Sequence, residues 1–173
     1  MAAYDPVGDD PAEYDRRRRR VLWSLPSGLY LLGSAAGEVA NLMTTNWVTQ
    51  VAVDPKLVAV SVEVGAQTHR LVTEGGSFSV NILARTDRAV VRRFVKPAQW
   101  DAATSTLNGF AVRTATTGAP IFEGAVGWLD CQVRRSMGLG SHTLFVGEVV
   151  DCGQDLAEEP VLRMEDTRMN YGG

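Results

Sequence analysis

The stretch from Asn41 to Val64, NLMTTNWVTQVAVDPKLVAVSVEV, constrains the fold more than any other part of the chain. Its second half alternates. Val58, Val60, Val62 and Val64 fall on one face and Leu57, Ala59, Ser61 and Glu63 on the other, which is the period of a strand, and Asp54-Pro55 supplies a turn before it. The first half sets Asn41, Thr44, Thr45, Asn46, Thr49 and Gln50 among apolar residues. That mixture predicts a polar loop able to offer hydroxyls, amides and backbone N–H groups to a polar ligand.

The flanking segments extend the pattern. Asp10-Pro11-Ala12-Glu13 reads as a capping box with Pro at the first helical position, and Tyr14, Val21 and Leu22 follow at spacings that share a face. The run Arg16 to Arg20 on this helix points all around it, which predicts a solvated or intersubunit face. Gly28 to Gly33 is a short strand bounded by glycines, and Ser34 to Glu38 a hairpin connection. Gln67 to Thr73 predicts a short helix, ended by Gly75-Gly76 in a left-handed cap. Phe78, Val80 and Ile82 alternate with Ser79 and Asn81, as in a half-buried strand.

A second helix is expected from Asp87 to Lys96, with Val90, Val91, Phe94 and Val95 on one side and Pro97 stopping it. Ala98 to Gly109 has no period and reads as a loop bordering a site. Strands follow near Phe110–Arg113, Leu129–Val133 and Thr143–Val149; in the second, Leu129, Cys131 and Val133 should face inward and Asp130, Gln132 and Arg134 outward. Ser136 to His142 is a glycine-rich hairpin or lid. Many short strands with few helices predict a mainly β fold, a barrel or sandwich with flanking helices, and argue against a doubly wound sheet.

Composition narrows the function. A chain of 173 residues, 45% of them hydrophobic, suits one domain with a real core. A net charge of −3 gives no general attraction to nucleic acid, and no apolar run approaches the roughly 20 residues that span a bilayer. MAAYDPVGDD carries acids where a signal peptide needs bases, so a cytoplasmic location is expected. Cys131 and Cys152 lie far apart without a CxxC and are expected as reduced thiols, with no metal knuckle. GxGxxG, Walker A and HExxH motifs are missing, and two histidines form no sequence-level triad.

The run MTTNWVTQVAVDPKLVAVSVE, followed by QTHRLV and FSVNIL, resembles the flavin reductase-like family of FMN-binding split barrels. That family shows a Met-Thr-x-Asn loop, an Asp-Pro-Pro-Leu-like turn, a hydrophobic strand, a Ser/Thr-rich helix start and a Phe-x-Val-Asn strand. This chain departs from it at Lys56, where a second Pro is common, and at Trp47, where a small residue is common. The resemblance covers about residues 20 to 171. It implies a split-barrel domain over 20–173 preceded by an N-terminal helical extension over 1–19, and a homodimer with flavin near the interface.

Site residues follow from the same resemblance. Thr44, Thr45, Asn46 and Trp47, with Ser61 and Val62, would line the flavin ring and ribityl chain; Gln67 and Thr68 match the phosphate segment, and helix starts favour anions. Arg93 and Phe94 match an Arg-Phe pair, Lys96 could add charge, and Asn81 could support the loop from behind. His142, in GSHTLFVGEV, matches a histidine at the flavin pocket that helps hold the nicotinamide, with Ser141 replacing the usual Asp; Arg168 and Tyr171 could reach the flavin, and His69 is structural. Structural alternatives stand beside these: Thr44 and Thr45 capping a turn, Asn46 holding a left-handed angle, Thr68 capping the helix, Trp47 packing as a stack, a gate or an interface residue.

The implied activity is electron transfer from NAD(P)H to flavin, FMN or alternatively FAD, with a partner monooxygenase as one recipient. An FMN electron carrier resembling flavoredoxin and fed by a partner protein is the alternative, to which the Ser27–Leu32 opening is closer. A barrel without cofactor chemistry is a third.

Overall fold

A computed structural model describes residues 10–154 and 159–171. Helix α1, Pro11–Trp23, starts where the sequence signals it: the Asp10 side chain accepts from the Ala12 N–H and Pro11 opens the first turn. The helix runs unbroken through position 19/20 and buries none of its residues. Strands β1 (Tyr30–Ala36) and β2 (Val39–Thr45) form a hairpin around Gly37, whose φ of 57° suits glycine. Gly33 is not a strand end. It lies inside β1, where a side chain would collide with the Pro120 carbonyl oxygen and the Ser79 hydroxyl.

The stretch expected as a polar loop is instead two strands, β2 and then β3 (Val48–Ala52), followed by β4 (Leu57–Glu63). Its polar side chains tolerate the sheet because they find partners beyond it. Asn41 Nδ2 donates to Thr68 Oγ1 at 2.8 Å, Asn41 Oδ1 accepts from the Ala98 N–H at 2.8 Å, and Thr44 Oγ1 donates to the Val91 carbonyl at 2.6 Å. Helix α2, Gln67–Gly75, ends on Gly76 at φ 68°, as expected.

Strand β5, Ser77–Ile82, is buried on both faces, not half-buried. Phe78 and Val80 enter the barrel core, while Ser79 and Asn81 are sealed against a second, smaller sheet. The helix expected over 87–96 is broken into a tight turn at Arg85–Asp87, a short α3 at Arg88–Val91 and another tight turn at Arg92–Phe94. Only Val91 and Phe94 are fully buried there, and Val95 faces solvent, because the broken axis turns successive residues out of one stripe. Residues 98–109 are not simply a loop: β6 (Trp100–Asp101) and β7 (Thr106–Leu107) pair, and β8 (Phe110–Arg113) and β9 (Ile121–Phe122) continue that sheet.

The long strands β10 (Gly127–Gly138) and β11 (His142–Gly153) extend well beyond their expected cores. Asp130, expected outside, is fully buried: a register shift after it breaks the alternation, and its carboxylate accepts from the Thr117 N–H at 2.8 Å and from the Thr117 hydroxyl.

Among the described residues the main sheet has seven strands in the order β2-β1-β5-β10-β11-β4-β3. Its two edge strands, β2 and β3, are neighbours in the chain, separated only by Asn46 and Trp47. So short a link spans roughly 10 Å at most, so the two edges must meet and the sheet must curl into a barrel. The Trp47 carbonyl accepts from the Ser61 N–H at 3.1 Å, continuing the β3–β4 ladder up to the link. Inside sit Leu32, Val58, Val60, Val62, Phe78, Val80, Cys131 and Phe145. Each fully buried valine there contributes about 1.5–3 kcal/mol of apolar transfer. A second core, with Leu31, Leu83, Phe94, Leu107 and Phe122, packs the small sheet and the turns around α3 against the barrel's outside.

Candidate functional site

The seam where the sheet edges meet opens onto a cleft of two joined cavities, about 480 and about 730 Å³, which share Asn46, Ser61, Met164, Met169, Asn170 and Tyr171 as common wall. The smaller is lined by Met43, Thr44 and Thr45 of β2, Glu63 of β4, the start of α2 (Ala66, Gln67, Thr68) and Lys96. The larger is lined by Trp47, Val48, Ala59 and Leu144, and by Leu22, Trp23 and Leu25 at the end of α1 and just beyond.

Alternation decides who faces it. On β4, Ser61 and Glu63 point outward to the cleft while Val60 and Val62 point into the barrel. Asn46 is 8% exposed, its Nδ2 lies 3.4 Å from Ser27 Oγ, and its side-chain oxygen is buried without a partner among the described residues. Asn46 also lacks the left-handed angle that would explain it structurally; Ser105 and Asn108 are the described non-glycine residues with positive φ. An unpaired buried amide oxygen on the wall of a cleft costs roughly 1–3 kcal/mol until something donates to it.

Trp47 anchors an aromatic group at the rim. Its ring lies 5.0 Å from that of His142 and 5.2 Å from that of Tyr171, both tilted, and His142 Nε2 is 3.4 Å from the Tyr171 hydroxyl. Ser141 Oγ contacts His142 Nδ1 at 2.9 Å, so the serine that replaces the family's Asp still fixes the imidazole. Burial and then the nearby Glu63 charge push the Tyr171 phenol above its ordinary range; burial does the same for Tyr30.

Of the residues singled out in the sequence, Thr44, Thr45, Asn46, Ser61, Gln67 and Thr68 meet in the smaller cavity, Asn46, Trp47 and Ser61 line the larger, and His142 stands at its rim through Trp47 and Tyr171. Thr68 does not cap its helix; Ala66 holds that position, and its methyl offers no acceptor, so no side chain caps the start of α2. Four expected residues lie elsewhere. Val62 is inside the barrel and Phe94 inside the second core. Asn81 is fully buried with its amide consumed, and Arg93 is exposed outside both cavities, because the broken helix around α3 directs Phe94 inward and Arg93 to solvent. His69 lines neither cavity; its Nε2 lies 2.8 Å from Thr143 Oγ1 and ties α2 to β11.

Sequence reasoning missed Met164, Met169 and Asn170, which share the wall between the cavities. They lack periodicity, and long-range contacts, among them the bridges Gly28↔Arg163 and Ala84↔Val161 and the burial of Leu162, bring their segment back across the barrel. Both cysteines are free; burial pushes the Cys131 thiol up to about 12, leaving it inert. Among the described residues no cluster suited to a metal ion occurs and no helix is long and apolar enough to cross a membrane.

The cleft thus offers an orphaned amide oxygen, a flat aromatic wall, hydroxyls, an uncapped helix start and a cation. A ligand with an N–H edge, a flat ring and an anionic tail fits that set, as flavin does.

Comparison with known proteins agrees. The sequence model of the flavin reductase like domain matches residues 22–172. The NADH-dependent flavin reductase StyB of Pseudomonas fluorescens is 32% identical over 124 residues, 72% of this chain and 68% of that protein. An NADH-dependent FAD reductase of Streptomyces globisporus is 30% identical over 162 residues, 91% of this chain and 88% of that protein. The styrene monooxygenase flavin reductase of Pseudomonas putida S12 superposes with a TM-score of 0.72 at 29% identity, covering 84% of this chain and 90% of that one. With its barrel, its cleft at the seam and these relatives, the chain belongs to the flavin reductase-like family.

Proposed function

We propose that this protein is an NAD(P)H:flavin oxidoreductase that holds FMN, or FAD, in the cleft at the barrel seam. The observation that carries the reading is the buried, unpartnered Asn46 oxygen on the wall common to both cavities. Asn46 would accept from the N–H edge of the flavin ring. Thr45 and Ser61 supply hydroxyls along the ribityl chain, and the α2 N–H groups with Thr68, Gln67 and Lys96 receive the phosphate. The larger cavity offers Trp47, Ala59 and Leu144 as an apolar wall against which a second ring would stack. His142, fixed by Ser141, orients the carboxamide of that ring.

When bound, the flavin supplies the redox chemistry, taking up a hydride from the nicotinamide. The protein's part is orientation and desolvation. The exposed apolar residues Val21, Leu22, Trp23 and Leu25 support a homodimer in which this end of α1 is covered, with residues 1–19 as an extension of the domain over 20–173. A partner monooxygenase as recipient of reduced flavin is supported by the styrene monooxygenase relative. The two free thiols support a cytoplasmic location.

An anaerobic titration of the FMN-loaded protein with NADH and then NADPH tests this, following the flavin band near about 450 nm. Rapid bleaching is expected, and the donor that bleaches faster is the physiological one. A yellow protein indifferent to both donors would instead be a carrier fed by a partner protein, and a chain that takes up no flavin overturns the reading.

A further inference from the structure

Tyr171 is held differently from the wall on which it stands. The preceding segment is anchored: the Thr167 N–H and hydroxyl both donate to the Met164 carbonyl, at 3.1 and 2.9 Å, the Met169 N–H donates to Thr167 Oγ1 at 3.1 Å, and Met169 packs on the second core. Tyr171, two residues on and 48% exposed, is fastened by its side chain: a tilted contact with Trp47 and a long, weak hydrogen bond with His142 Nε2. Its phenol, raised by burial and by Glu63, the cross-strand neighbour of His142, stays protonated at neutral pH and can donate or accept.

A flat ring against Trp47 with a polar tip on His142 is also what a nicotinamide would present there. Its ring is of similar size, and its carboxamide both donates and accepts. The two cannot share the place. We propose that Tyr171 is a displaceable cover occupying the seat of the nicotinamide ring against Trp47 and His142, and that it sets the apparent affinity for the electron donor. This rests on the flavin reductase reading of the cleft. Because the cover competes from within the chain, the donor's apparent dissociation constant is its intrinsic value divided by the uncovered fraction. Removing the cover tightens binding without adding any contact.

The test uses Tyr171→Ala and Tyr171→Phe in the full chain. Flavin dissociation constants are measured first for each, so that every assay runs with the flavin site filled. Tyr171→Ala is expected to lower both the KM for NADH and the dissociation constant of NAD⁺, which binds without reacting, by about five- to tenfold. Tyr171→Phe, which keeps the ring and loses the hydroxyl, should fall between it and the wild type. An unchanged or raised KM in Tyr171→Ala, the behaviour of a wall that supports the nicotinamide, overturns the proposal.

Proton NMR supplies a readout that needs no activity, since the chain has only two histidines and His69 lies on Thr143 and Phe145. The His142 ring resonances should move in both variants and, in the wild type, on addition of NAD⁺. Resonances that ignore either change reject the cover. A wild-type protein that binds no flavin sinks the reductase reading by itself, while the His142 shifts and the NAD⁺ titration still decide the cover.

Discussion

Two asparagines close two of the motifs on which the chain's resemblance rests, and the structure treats them in opposite ways. Asn81, at the end of the Phe-x-Val-Asn strand, is fully buried and spends its whole amide inside: Nδ2 donates to the Leu31 carbonyl and to Ser79 Oγ, both at 3.0 Å, and Oδ1 accepts from the Phe122 N–H at 2.8 Å. It ties barrel to small sheet. Asn46, at the end of the Met-Thr-x-Asn stretch, is almost as deeply buried, yet its oxygen has no partner among the described residues and lies on the wall of the cleft. A filled polar network is architecture, and an unfilled acceptor at a cavity wall is one that an incoming donor would complete.

The largest effect should come from breaking the filled side. Asn81→Ala leaves the Leu31 carbonyl, the Ser79 hydroxyl and the Phe122 N–H without their shared partner in a sealed region. We expect a loss of about 3 kcal/mol, and a melting temperature lower by roughly 6–12 °C for a domain of this size. Chemical denaturation measures the first and thermal unfolding the second. Flavin affinity of the molecules that remain folded should not change. A variant of wild-type stability would mean that Asn81 is not the tie described.

Asn46→Ala should act the other way round. Removing an oxygen that already lacks a partner relieves a penalty, so the free protein should lose less than about 1 kcal/mol or gain slightly. Flavin binding should weaken by about 2 kcal/mol, roughly thirtyfold, in a fluorescence titration. If this variant lost stability and kept its flavin, the contrast between the two asparagines would collapse.

That contrast was hidden in the sequence, where both residues read as members of the flavin site. Local signals were legible: the alternation Val58, Val60, Val62 gave the barrel-facing side of β4, Gly76 the end of α2 and Asp10 the start of α1. What escaped depends on distant partners. Asn41 and Thr44 sit in a strand rather than a loop because Thr68, Ala98 and Val91 come back to meet them. Asp130 is buried because a register shift and Thr117 receive it. The closure of the barrel through Asn46 and Trp47 follows from the order of seven strands, which no local period encodes. Most of the smaller cavity's wall was legible in the motifs, since Thr44, Thr45, Asn46, Ser61, Gln67 and Thr68 do converge there. Met164 and Met169 could not, because they arrive from the far end of the chain.

The smallest expected effect refines which end of the cleft takes which part of the ligand. Lys96 stands in the same cavity as the uncapped start of α2, while Arg93, the other basic residue singled out in that part of the sequence, is directed to solvent. If the phosphate lies there, Lys96→Gln should weaken FMN by about three- to fivefold at low salt, and the difference should shrink as ionic strength rises, because an exposed ammonium is readily screened. Riboflavin, which has the ring and ribityl chain but no phosphate, should bind the wild type and the variant alike. Equal weakening of both flavins would move Lys96 to the ribityl or ring end and reverse the cavity assignment. A loss confined to FMN would leave Asn46 holding the ring edge and the start of α2 holding the anion, the two ends of one ligand laid across the seam where β2 becomes β3.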